Sequence, residues 1–274
     1  MPDRETAQVT RLEVTRVTRG AATRDVDAVA VERALEIRVG GRALSVTLRT
    51  PGHDPELALG FLAGEGLIAS TADVTGVRVV PAACADQPDS IEITLSPAVR
   101  VDWTRLERHF AASAACGLCG RAHLESLRAG LTPMAPGLRL KTAALAGLAA
   151  RLQGEQAAFA VTGGLHAAAW CDDALEPRVV REDVGRHNAV DKVAGWLLAE
   201  GRYPVNAGLL WASGRAGAEI VLKAARARIP ALAAVGAPSS LAIELASAAG
   251  MTLIGFLRED RMNVYCGVER VAAS

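Results

Sequence analysis

In the second half of the chain, short apolar runs alternate with helix-period segments, and that rhythm limits the folds it can adopt. Apolar runs near 158–162, 208–213, 231–235 and 251–257 read as buried strands, and stretches near 187–199, 216–227 and 239–249 read as helices. Strands that alternate with helices of this length form a sheet with helices packed over it. The expected class is therefore α/β.

The first half reads differently. Residues 1–30 are polar and rich in Arg and Thr, the pattern of a loose tail or an edge strand. Leu35, Ile37 and Val39 alternate on one side of Gly40-Gly41 and Leu44, Val46 and Leu48 on the other, which predicts a hairpin closed by a tight glycine turn. Asp54 followed by Pro55 predicts an N-cap and first helical residue, opening a helix that ends near Gly64 or Gly66. Two more alternating strands are expected near 75–80 and 91–95, and a helix from Thr104. Pro133, Pro136 and Gly137 then make a linker-like break. The expected division is a polar tail (1–30), a β-rich part ending with a cysteine loop (31–135) and an α/β part (136–274).

Composition restricts what such a fold can do. With 274 residues, 50% of them hydrophobic, the chain can bury one large core or two modest ones, which excludes overall disorder. Thirty basic and thirty acidic residues cancel, so no global field would draw in nucleic acid or an anionic membrane, and any anion site must be local. Arg4, Arg11, Arg16, Arg19 and Arg24 occupy the first thirty residues with no apolar run between them, unlike a secretory signal. No stretch approaches the roughly 18 apolar residues of a membrane span. A cytoplasmic location is expected. Five cysteines, with Cys84, Cys171 and Cys266 isolated, do not form a disulfide framework, so reduced thiols are expected.

The strongest chemical signal is Cys116-Gly117-Leu118-Cys119-Gly120, followed at once by a helix pattern over 121–127. Glycines permit a tight loop, and a helix start with Arg121 beside it favours thiolate, the nucleophilic form. Four readings compete. The pair can be structurally incidental; it can hold zinc with His123, although one pair supplies only two of about four ligands; it can be a thioredoxin-type redox pair, although it lacks the early βαβ setting; or it can relay sulfur covalently. A zinc deaminase would place His-x-Glu before a Pro-Cys-x-x-Cys, whereas His123-Leu124-Glu125 follows a pair without the proline.

A second signal is a set of loops where strands give way to helices: Thr162-Gly163-Gly164-Leu165-His166, Arg181 to Asn188 with Arg186 and His187, Ser213-Gly214-Arg215, and Gly236 to Ser240. Such loops form ligand crevices at the carboxyl ends of α/β strands, and their amides and arginines suit phosphates. The plainer alternative is an Asp183–Arg186 ion pair, with Ser213 and Ser239 as helix caps. A third signal, Phe256-Leu257-Arg258-Glu259-Asp260-Arg261, ends the last apolar strand with two cations for phosphates and two acids for a base edge, or else is a charged surface turn. No Walker loop or dinucleotide glycine fingerprint is present.

Together, Cys-Gly-Leu-Cys-Gly, Thr-Gly-Gly-Leu-His-Ala-Ala, Arg-Glu-Asp-Val-Gly-Arg-His-Asn-Ala-Val-Asp-Lys, Gly-Phe-Leu-Arg-Glu-Asp-Arg-Met-Asn-Val-Tyr and the earlier Arg49 to Asp54 stretch resemble the formate dehydrogenase accessory sulfurtransferases, over about residues 30–266. The resemblance implies a three-layer α/β/α, cytidine-deaminase-like fold in the C-terminal part, and a homodimer. It implies that a cysteine desulfurase loads sulfur onto Cys116 as a persulfide, with Cys119 as an auxiliary thiol. The sulfur then passes to a bis(molybdopterin guanine dinucleotide) molybdenum cofactor destined for formate dehydrogenase. Residues Phe256 to Arg261 match the cofactor-binding stretch, GDP would serve as an analogue, and no permanently bound metal is expected. The alternative is a chaperone that delivers the same cofactor without carrying sulfur. Cys171 and Cys266 depart from the family's pattern, as do the few hydroxyls in Ser113-Ala114-Ala115.

Overall fold

The computed structural model describes residues 8–82, 84, 87–103 and 131–272. The expected helix from Thr104 and the loop carrying Cys116 and Cys119 lie outside the described residues. The centre of the molecule is a six-stranded sheet in the order β13-β12-β11-β10-β8-β9. Its members are β8 (His166–Cys171), β9 (Pro177–Asp183), β10 (Leu209–Ala212), β11 (Ala231–Ala234), β12 (Thr252–Gly255) and β13 (Asn263–Cys266). The pairs β10–β11 and β11–β12 are parallel, while β8, β9 and β13 join antiparallel. Strands β10, β11 and β12 are buried at every position, as continuous apolar runs must be when both faces of a sheet are covered.

Helices cover the two faces. On one lie α4 (Arg186–Ala199), α5 (Ala218–Arg226) and α6 (Ser240–Ala248), packed on Ala168, Trp170, Leu210, Leu232 and Leu253. On the other, α2 (Thr142–Gly154) sets Leu145, Leu148 and Leu152 against Ala169, Trp211, Ala233 and Ile254. Side chains alternate across each strand, and the result is the expected three-layer α/β/α arrangement.

The N-terminal part forms a four-stranded sheet, β4-β3-β6-β5, from β3 (Arg33–Val39), β4 (Arg42–Arg49), β5 (Val74–Val80) and β6 (Asp89–Leu95). The predicted β3–β4 turn is present, with both Gly40 and Gly41 at positive φ. Helix α1 (Asp54–Glu65) connects this sheet to the rest by crossing α4 at glycines: a Cβ on Gly60 would overlap the Asp191 carbonyl, and one on Gly195 would overlap that of Glu56. Leu35, Ile37, Ile91 and Ile93 of the smaller sheet therefore share one core with α1, α4 and the larger sheet.

Four local expectations are corrected. The run at 158–162 is a helix, α3 (Ala157–Thr162), because the Glu182 carboxylate accepts the Ala158 and Phe159 amides at 3.0 and 2.7 Å and Gly163 at φ 64 ends the turn. A five-residue apolar run carries no period that separates helix from strand. Much of the tail is a hairpin of β1 (Val9–Thr18) and β2 (Ala21–Ala30), largely exposed and turning at Arg19-Gly20. The cap of α1 is His53, not Asp54, which is turned inward to Arg49. Asp183 pairs with buried Lys192 at 2.8 Å, not with Arg186.

Candidate ligand crevice

The sheet topology brings the sequence loops to one edge. Strands β10, β11 and β12 run parallel and end together there, and β8, antiparallel to β10, begins at the same edge with His166. His166 lies opposite Asp183, the last residue of β9, so the loop into α4 with Arg186 and His187 arrives beside it. This is the carboxyl-end crevice in which open α/β sheets bind ligands.

The long Arg181 to Lys192 motif divides into scaffold and rim. Glu182 caps α3; Asp183 accepts the Thr50 and Gly185 amides, the Asn188 side chain and Lys192; Lys192 also donates to the carbonyls of Thr50 and Glu182 at 2.9 and 3.1 Å. Thr50 returns a hydroxyl acceptor to the Val184 amide, so the Arg49 to Asp54 stretch and this motif lock together. Burial pushes the Lys192 ammonium below its usual range, with Asp183 opposing. Arg49 holds Asp54 at 2.6 Å and Asp89 at 2.9 Å in a second buried group. These residues position the rim; Arg186 and His187 compose it.

On the rim, Gly214 separates His166 from Arg186: a Cβ there would come 3.4 Å from His166 Nδ1 and 3.8 Å from Arg186 Cδ. His187 Nε2 meets Glu219 at 3.2 Å, a partner the sequence reading passed over although an acid in the first turn of α5 marked the position. Burial, then the Arg186 charge, lowers the His166 pKa, and Asp183 partly offsets them. Burial also lowers that of His187; Glu219 opposes it, while Arg186, Lys223 and His166 add to it. The side chains of Arg186 and Arg215 make no hydrogen bond or ion pair with another described residue. Ser213 is not a helix cap, since its hydroxyl accepts the Ala167 amide at 2.8 Å and ties β10 to β8; Ser239 does cap α6.

The rim continues through Gly236, whose amide donates to the Gly214 carbonyl at 2.9 Å and whose carbonyl accepts from Phe256 at 3.2 Å. Phe256 is exposed and sits at φ 54, a left-handed conformation disfavoured for a bulky side chain. Leu257 is fully buried, so its side chain anchors the turn instead of facing a ligand. The turn closes with the Arg258 amide on the Arg261 carbonyl, and the Arg258 guanidinium is held by the Val235 and Leu257 carbonyls. Arg258, Glu259, Asp260 and Arg261 line a cleft of about 520 Å³ against Ala149, Ala150 and Gln153 of α2. Thr162 donates its hydroxyl to the Ala158 carbonyl, and a Cβ on Gly164 would contact Ala30 at the hairpin base.

The FdhD/NarQ family model matches residues 30–272. The chain belongs to the FdhD/NarQ family. Its relatives include the sulfur carrier protein FdhD of Mycolicibacterium paratuberculosis, 45% identical over 270 residues that cover 96% of this chain and 99% of that one. The protein of the same name from Streptomyces coelicolor is 44% identical over 268 residues, covering 96% and 95%. In fold, the chain resembles a crystal structure described as a formate dehydrogenase accessory protein from Desulfotalea psychrophila. The TM-score is 0.77 with 24% identity, over 97% of this chain and 100% of that one. Among the described residues, no FdhD/NarQ helix is long and apolar enough to cross a membrane.

Proposed function

We propose that this chain is a cytoplasmic sulfur carrier that accepts sulfur from a cysteine desulfurase as a persulfide on Cys116. It would pass that sulfur to a bis(molybdopterin guanine dinucleotide) molybdenum cofactor made for formate dehydrogenase. The observation that carries this reading is the Cys116-Gly-Leu-Cys119-Gly loop in a chain whose sulfur-carrier relatives match it over nearly its whole length. The Cys116 thiolate attacks the outer sulfur of the donor's persulfide; the donor's S–S bond breaks, its cysteine leaves as thiolate, and no external oxidant is needed. Handing that sulfane sulfur on as sulfide requires two electrons, which a reduced metal centre in the cargo would supply. Cys119 shields or resolves the persulfide.

The cargo, a substrate and not a resident group, suits a crevice with Arg186 and Arg215, whose side chains are unpaired among the described residues, on one side and the Arg258 to Arg261 cleft on the other. GDP is the natural probe, and a homodimer the working assembly. Intact mass after incubation with a desulfurase and cysteine tests the reading. Wild type should gain about one sulfur atom, reversible by reductant, and Cys116→Ala should gain none and fail to mature formate dehydrogenase. Normal maturation by Cys116→Ala would instead favour a chaperone that carries no sulfur.

A further inference from the structure

His166, Arg186 and His187 lie close enough on the rim for each charge to act on the others, and among the described residues the Glu219 carboxylate lies 3.2 Å from His187 Nε2. Gly214 has no side chain where a Cβ would contact both the His166 ring and the Arg186 methylenes, so the space between them stays open. Neither His166 nor Arg186 forms a side-chain hydrogen bond with another described residue, and among the described residues the partner of the His187 side chain is exposed Glu219. The other charged groups facing the cluster are already engaged: Asp183 by Lys192, Asn188 and two amides, and Lys223 by Asp191 at 2.6 Å.

We propose that His166, Arg186 and His187 are the seat for a phosphate or diphosphate group of the cargo, and that the group binds together with a proton taken up from solvent. This rests on the cargo reading above. Without an anion, partial burial and then the Arg186 charge disfavour the protonated form of both imidazoles, with Asp183 opposing at His166 and Glu219 at His187. A phosphate dianion between them reverses that balance: an imidazole gains a proton and becomes a charged donor, while Arg186 supplies fixed charge. An uncharged ligand would gain neither.

Calorimetry of the full-length chain with GDP, at about pH 7.5 in buffers of different ionisation heat, measures the proton. At that pH the nucleotide's own phosphate, with a second pKa near 6, is already deprotonated and cannot supply it. Wild type should take up close to one proton per GDP, and guanosine should bind without uptake. His166→Gln combined with His187→Gln should abolish uptake and weaken GDP about tenfold, the loss of one charge-assisted bond. Gly214→Val retains all three basic groups but fills the space between them, and it too should weaken GDP about tenfold while melting like wild type. Equal uptake in wild type and the double variant, unchanged affinity in both variants, or no GDP binding by wild type would each overturn the proposal. Persulfide loading of Cys116 is read separately by mass. Its failure alongside proton-linked GDP capture would remove the sulfur-carrier reading and leave the phosphate seat standing.

Discussion

Asp191 shows how a motif residue that looks chemical can be structural. It is buried between α1, α4 and α5 with Lys223 at 2.6 Å, and complete burial pushes its carboxyl up to about 6, with Lys223 pulling the other way. A carboxyl whose folded pKa exceeds its unfolded value of about 3.9 retains its proton longer in the folded state, so stability falls as pH rises from about 4 to about 6. Asp191→Asn should flatten that decline in urea titrations; a profile parallel to wild type would exclude Asp191 as its source. Glu56 and Asp89 act in the opposite sense. Burial opposes their ionisation, but hydrogen bonds led by Arg181 and Arg49 outweigh it, so what they contribute is lost as pH falls below the usual carboxylate range. Lys223→Met leaves Asp191 buried without a cation and should cost about 3 kcal/mol near neutral pH. At Cys119, alanine should impair maturation of formate dehydrogenase less than at Cys116, because an auxiliary thiol only shields or resolves the persulfide; equal and total loss would favour zinc or a catalytic disulfide.

At the scale of elements, the α1–α4 crossing and the turn after β12 are the sensitive features. Gly195→Ala places a methyl in the Glu56 carbonyl and must push two helices apart, so we expect a loss of about 1–3 kcal/mol or more in chemical denaturation. An unchanged midpoint would mean that α1 can shift freely, which its share of the common core contradicts. In the turn, Arg258 is partly fixed by two carbonyls, whereas Arg261 has no side-chain partner among the described residues. Arg261→Gln should therefore weaken GDP binding by about 1.5–3 kcal/mol without lowering the melting temperature, and Arg258→Gln should affect both. Equal dissociation constants across all three proteins would make this a solvated surface turn.

Across the whole molecule, the smaller sheet and the larger one are fused through α1, while the β1–β2 hairpin stands exposed on both faces. A two-stranded ribbon adds little stability by itself, so removing residues 9–30 should lower the melting temperature less than Gly195→Ala does. The sequence by itself determined the β10 to β12 core with its helices, the Gly40-Gly41 turn and the family, because long apolar runs, helix periods and paired glycines are local signals. It misread 158–162 as a strand and left 166–171 unassigned, because the state of these short Ala-rich stretches depends on Glu182 arriving from β9 and on pairing with β10. The candidate crevice was half legible. Arg186, His166 and Ser213-Gly214-Arg215 stood out as loop residues, but which carboxylate faces which cation was not written in their spacing. Asp183 lies nearer Arg186 in sequence yet serves Lys192, and Glu219 reaches His187 from another helix. Only the tertiary structure decided these partners, because burial and strand order, not distance along the chain, determine which charges must neutralise one another.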